Sequence, residues 1–134
     1  MSRLDELGEV QRTVLEVLWE SGEATVQEVR ESLGRRKPPA YTTVLSTLQK
    51  LEALGWVKHR AEGRTYIYSA ARNRRRERKR SLRSIIDTLF GGERELLLEH
   101  ALEGETLSQD EIERLRGLID QAEQRERGKK GQGR

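Results

Sequence analysis

The stretch AYTTVLSTLQKLEALGWV, residues 40–57, decides the fold. Tyr41, Val44, Leu45, Leu48, Leu51 and Leu54 recur at intervals of three and four, which predicts a helix over about 40–54 with one apolar face. Gly55 follows as its C-cap. The other side carries Thr42, Thr43, Ser46, Thr47 and Lys50, with Gln49 at its margin. Ser and Thr are mediocre helix formers, and an ordinary solvated face favours Glu and Lys. So many hydroxyl side chains on one helix face point to a surface kept for a partner.

Upstream, Leu7, Val10, Val14, Val17 and Leu18 follow helical spacing, with Trp19 widening the stripe, and Gly22 stops that helix. Thr25 and Glu28 form a capping-box pattern that opens a second, short helix with Val26, Val29 and Leu33 inward, ended by Gly34. The linker Arg35-Arg36-Lys37-Pro38-Pro39 is cationic and cannot stay helical through its prolines. Downstream, WVKHRA (56–61) and RTYIYS (64–69) read as two strands around Glu62-Gly63, a hairpin. Three helices and a hairpin within about 70 residues is the order of a winged helix. The expected fold class is therefore mainly α with a small β-wing: an N-terminal winged helix-turn-helix over 1–71, then a helical dimerisation region.

That second region, 72–124, opens with a charged run from Arg74 to Arg80. Leu82, Ile85, Ile86, Leu89 and Phe90 then form a helical stripe broken by Gly91-Gly92. Leu96, Leu97, Leu98, Ala101 and Leu102 make a second helix, and Ser108 with Glu111 caps a third carrying Ile112, Leu115, Leu118, Ile119 and Ala122. This is more apolar surface than three short helices bury in themselves. Leu82, Ile85, Ile86, Leu89, Phe90, Leu96, Leu97, Leu102, Ile112, Leu115, Leu118 and Ile119 are therefore expected at a homodimer interface. The glycine-rich polar tail, 125–134, is expected to be disordered.

The 134 residues carry a net charge of only +3, but its distribution is uneven. Residues 1–34 hold 3 basic and 8 acidic side chains, 35–64 hold 7 and 2, 71–90 hold 8 and 2, and 91–134 hold 8 and 11. Positive charge gathered in the middle of the chain suits a polyanion. The B-DNA major groove admits one α-helix, and short hydroxyl side chains let it approach closely while threonine methyls pack on thymine methyls. The candidate DNA-contacting residues are thus Tyr41, Thr42, Thr43, Ser46, Thr47 and Lys50 on the third helix. Arg35, Arg36 and Lys37 before it, and Lys58 and Arg60 in the wing, are candidates for phosphates. Arg64 at the wing tip is the candidate for the minor groove or backbone. A face without Arg or Asn discriminates weakly, so reading two half-sites as a dimer is expected. The arginines of 72–80 either approach DNA or pair with the acidic C-terminal helices, where residues 91–126 hold 11 acidic and 4 basic side chains.

There is no cysteine, so disulfides, thiolate metal sites and cysteine nucleophiles are excluded. His59 reads as a wing surface residue and His100 as an interface or surface one. No nucleophile elbow or phosphate loop occurs, so neither an enzyme nor a cofactor is expected. No apolar run is long enough to span a bilayer, and the first residues lack a signal-peptide core, so a cytoplasmic protein with no membrane partner is expected. Two other classes remain: a winged helix that serves as a protein-interaction module without sequence-specific DNA binding, and a nonspecific DNA-compaction protein.

LGEVQRTVLEVLW, AYTTVLSTLQKLEALGWV, EGRTYIY, LFGGE and LSQDEIERLRGLID together resemble the penicillinase-repressor family (BlaI/MecI type, with a copper-responsive CopY branch) over residues 7–122. The resemblance implies an N-terminal winged helix and a C-terminal three-helix dimerisation region. It also implies a repressor whose dimer binds double-stranded palindromic operators and blocks transcription. Two features depart from the family. The copper-responsive branch uses Cys-x-Cys pairs, which this chain lacks. The β-lactam-responsive members are cut at an Asn-Phe bond in the dimerisation region; the stretch LLLEHALEG has Glu99-His100 near that place. An inactivating protease as a partner is therefore carried by the resemblance alone.

Overall fold

The computed structural model describes residues 2–34, 36–104 and 106–132. A 3-10 turn at Leu4–Glu6 leads into α1 (Glu9–Ser21), β1 (Glu23–Thr25), α2 (Val26–Leu33), α3 (Tyr41–Ala53), β2 (Val57–Glu62) and β3 (Thr65–Ala70). Three further helices follow: α4 (Arg74–Leu89), α5 (Arg94–Leu102) and α6 (Gln109–Gln132). The mainly helical architecture with a small antiparallel sheet is the expected one.

The capping box at Thr25 forms as its sequence dictates. The Glu28 amide donates to Thr25 Oγ1 at 3.2 Å and the Thr25 amide donates to Glu28 Oε1 at 2.9 Å. Thr25 also ends β1, a strand whose three residues are too few to show alternation, and which sequence reading did not separate from the loop. The sheet order is β1-β3-β2, all antiparallel. Pairing of Glu62 with Thr65 leaves Gly63-Arg64 as a two-residue turn. Gly63 has φ +63°, and no described non-glycine residue has positive φ, which is the pattern of a type II′ hairpin turn. The strands thus start one residue later than the hydrophobic pattern indicates, and Arg64 sits at the tip.

The core of the first unit is built by Val14, Leu15 and Leu18 of α1, Val26 and Val29 of α2, Val44, Leu48 and Leu51 of α3, and Trp56, Val57 and Tyr68 of the sheet. Between α2 and α3 the chain doubles back tightly. A Cβ on Gly34 would stand 2.9 Å from Pro38 Cα and 3.0 Å from the Lys37 carbonyl oxygen, so only glycine fits. Arg30 Nε donates to the Pro39 carbonyl at 2.8 Å and fixes the turn that launches α3.

Behind the core, Trp56 donates its indole N–H to Ser2 Oγ at 2.9 Å. The Arg72 guanidinium lies 4.1 Å from the centre of that indole ring. It donates to the carbonyls of Leu54 (3.1 Å), Gly55 (3.2 Å) and Ser2 (3.1 Å). One arginine thus holds the two carbonyls that follow the last residue of α3 and ties them to the start of the chain.

The described chain separates into two compact units, Met1–Glu93 and Arg94–Arg134. The expected division after residue 71 therefore shifts: α4 belongs with the winged helix. It is joined there by contacts of the charged run, Arg74 with Glu16 (3.1 Å) and Glu20 (2.9 Å), and Arg78 with Glu16 (3.5 Å). Asn73 caps α4 by accepting from the Arg76 amide at 3.0 Å. In the second unit Ser108 Oγ accepts from the Glu111 amide at 3.1 Å, the expected start of α6. That helix continues to Gln132 through residues expected to be disordered, with Arg127 paired to Glu123 at 2.6 Å and Lys129 to Glu126 at 3.5 Å. Pairs three and four residues apart lie on one helix face and favour continuation. No helix among the described residues is long and apolar enough to cross a membrane.

Replacing Thr25 with Ala removes the cap that also closes β1. The expected cost is about 1 kcal/mol of folding stability, read as a lowered midpoint in urea unfolding.

Candidate nucleic-acid interface

The face that α3 offers is set by what it buries. Val44, Thr47, Leu48 and Leu51 are buried. At 3.6 residues per turn, the outward line then runs through Thr42, Ser46 and Gln49, all exposed. Thr43 and Lys50 flank it on one side, Tyr41 and Leu45 on the other. The assignments of four residues change as a result. Thr47 is only 8% exposed, and its hydroxyl donates to the Thr43 carbonyl at 2.8 Å, so it belongs to the core edge and not to the outward face. A threonine can be buried in this way because the back-bond satisfies its one hydroxyl. Gln49, placed at the margin by sequence, stands on the central line. Tyr41 and Leu54, assigned to the apolar face, are 49% and 46% exposed because the helix ends overrun the core.

Beside this line lies an open cleft of about 720 Å³. Thr25, Val26 and Gln27 at the start of α2 form one end, Tyr41, Leu45 and Gln49 of α3 one wall, and Gly63 to Tyr66 of the wing the other. Arg64 therefore faces α3 across the cleft. The wing is held in this position by His59. Its ring stacks on Tyr66 with centroids 4.4 Å apart, and its Nδ1 lies 2.7 Å from the Glu52 carboxylate on α3. His59 is exposed, as its sequence reading as a wing surface residue expects, and only its partner Glu52, seven residues away, is absent from the local pattern.

The remaining cations divide. Lys58, Lys50, Arg36 and Lys37 are exposed; Arg35 lies outside the described residues. Arg60 is matched by two carboxylates, Glu23 at 2.9 Å and Glu62 at 3.0 Å. The hydrogen bond from Arg60 holds the Glu23 carboxyl below the usual carboxylate range, and the same bond raises the guanidinium further. Arg60 thus joins β2 to β1 across the outer face of the sheet. The arginines of the 72–80 run that find partners find them in α1, in Glu77 and in the chain start, within the first unit.

The family model described as Penicillinase repressor matches residues 7–121. The chain belongs to that family. A "Transcriptional regulator BlaI" of Mycobacterium tuberculosis is 36% identical over 75 residues, 55% of this chain and 54% of that protein. The chain thus spans about half the length of that relative. A "Penicillinase repressor" of Bacillus licheniformis is 20% identical over 127 residues, covering 95% of this chain and 99% of the relative. Among solved structures, one described as a possible transcriptional regulator for arsenical resistance superposes with a TM-score of 0.52 at 24% identity. It covers 78% of this chain and 99% of its own, a likeness of fold. The winged-helix reading of the sequence and its family resemblance both hold.

The wing's attachment has a pH signature. Burial pushes the Tyr68 phenol above the usual tyrosine range. An acid whose native value is raised favours folding fully below the unfolded value, about 10, and that contribution is lost as pH rises through the native one. Melting temperature should accordingly fall above about pH 10. The fall should be shallower in Tyr68→Phe than in the parent chain, compared by circular dichroism across the alkaline range.

Proposed function

We propose that the chain is a transcriptional repressor that binds palindromic operator DNA as a homodimer. The observation that carries this is the line Thr42, Ser46, Gln49 with Lys50 at its flank, presented outward on α3 beside a wing whose tip is Arg64. Thr42 and Ser46 keep the helix close to the groove floor. Gln49 supplies the bidentate donor and acceptor pair that matches adenine in the major groove. The cleft between α3 and the wing suits one phosphodiester strand, with the first backbone N–H groups of α2 at its end and Arg64 on its far wall.

The dimer follows from apolar surface that a single chain leaves uncovered. In the second unit Leu98 is 57% exposed, Leu102 45%, Leu118 59% and Ile119 66%; Leu82 and Leu89 of α4 are exposed as well. Ile85, Phe90, Leu96, Leu97, Ile112 and Leu115 are half-buried and have further area to lose. Ile86 is already buried at 6% and contributes little new area. Exposed apolar area of this extent marks an association surface. Two joined reading heads then contact two half-sites, which multiplies a weak single-head preference.

Selection of bound molecules from random-sequence duplex DNA tests the reading. Recovery of an inverted repeat with half-sites about one or two helical turns apart is expected. Gln49→Ala should relax preference at one base pair per half-site, a loss of about 1–3 kcal/mol in discrimination there. Salt-sensitive binding without enrichment would point to compaction, and no binding at moderate salt to a protein-interaction module. Leu118→Asp with Ile119→Asp should give a monomer in sedimentation equilibrium; an unchanged mass would remove these residues from the interface.

A further inference from the structure

The cationic run of residues 72–83, at the start of α4, does not act as one group. Arg72, Arg74, Arg78 and Arg80 turn inward to Trp56, Glu16, Glu20 and Glu77. Arg75, Arg76, Lys79 and Arg83 turn the other way. All four are exposed, and none makes an ion pair among the described residues. They share one concave surface of about 430 Å³ with Asn73 and Arg80, and no apolar side chain lines it.

Arg75, Lys79 and Arg83 are spaced by four residues, so their Cα atoms climb the helix in steps of about 6 Å on one face. Arg75 and Arg76 also stand in the first turn of α4, where cations oppose the helix dipole and an anion would be favoured. The stripe looks away from the core. The Val14, Leu15 and Leu18 face of α1 packs into the core with α3, whereas Glu16 and Glu20 of α1 hold α4. The stripe and the reading face of α3 thus lie on different sides of α1.

We propose that Arg75, Arg76, Lys79 and Arg83 form a second, sequence-independent binding site for the phosphate backbone of duplex DNA. Because it faces away from α3, it takes a different stretch of duplex from the one in the reading cleft. Nucleic acid fits this surface better than an acidic protein does. Protein interfaces carry an apolar, aromatic core, whereas nucleic-acid interfaces are polar and strongly positive. Three of the four cations are arginines, whose planar fork pairs with phosphate through two parallel hydrogen bonds. The site rests on the DNA-binding reading above only in sharing its ligand.

The test uses the full chain and a random-sequence 30-base-pair duplex at a series of salt concentrations. Lys50→Glu with Arg64→Glu disables the α3 and wing face. This variant should still bind the duplex, with a salt slope that Arg75→Gln, Arg76→Gln, Lys79→Gln and Arg83→Gln together reduce by about 3 to 4, since each neutralised phosphate contributes about 0.9. Glutamine is a good helix former at exposed positions, so an unchanged melting curve confirms that the four changes leave the fold intact. Loss of all duplex binding in the Lys50→Glu, Arg64→Glu variant would overturn the proposal while leaving the reading face in place. Binding of polyglutamate but not of duplex by that variant would assign the stripe to an acidic protein and overturn it too. Enrichment of an inverted repeat by the four-glutamine chain reports on the reading face separately, so failure of one site is not mistaken for failure of the other.

Discussion

The Arg72 guanidinium is the contact on which the arrangement of the first unit turns. It lies over the Trp56 indole and donates to three carbonyls, those of Ser2, Leu54 and Gly55. The end of α3, the entry to β2 and the beginning of the chain converge there. Trp19 joins from α1 by donating its indole N–H to the Arg72 carbonyl at 2.9 Å. The last carbonyls of a helix have no partner within it; here one side chain donates to the two carbonyls that follow α3, those of Leu54 and Gly55. Rotation of α3 about its axis is then limited by burial of Val44, Thr47, Leu48 and Leu51, and the outward line is what remains.

The wing depends on the same frame. Its inner residues alternate onto the helices through Val57 and Tyr68, while His59 reaches Glu52 on α3. Its outer residues are clasped by the Arg60 pairs with Glu23 and Glu62, which join the edge strands β1 and β2. A hairpin of two short strands is only marginally stable alone; the third strand and these pairs hold the tip, with Arg64, at a set distance from α3. Function is thereby divided: some cations build the scaffold, and others face outward from it.

Much of this was legible in the sequence because it rests on local rules. Helical spacing gave α1 to α3, the Thr25 and Ser108 caps marked helix starts, and the Gly63 turn located the wing. Other features depend on pairing between distant residues, and no local pattern carries them. The strand Glu23–Thr25 exists only because β3 pairs with it. Arg60, His59 and Arg72 look like any exposed charge until Glu23, Glu52 and Trp56 arrive beside them. Thr47 was misplaced because its hydroxyl reads as polar, although a back-bond to Thr43 lets it enter the core edge. The same error pushed Gln49 off the central line. In the sequence the α4 run is one block of charge; only the folded arrangement separates the arginines held by Glu16, Glu20 and Glu77 from the three arginines and one lysine that face solvent.

The proposed function stands on duplex DNA being read by the outward line of α3 and the wing tip. An NMR titration of the isotopically labelled chain with an operator duplex tests it most directly, residue by residue. Saturable shifts are expected at the amides of Thr42, Ser46, Gln49, Lys50, Gly63 and Arg64. Saturation with those amides unmoved, and shifts confined to other surfaces, would contradict it.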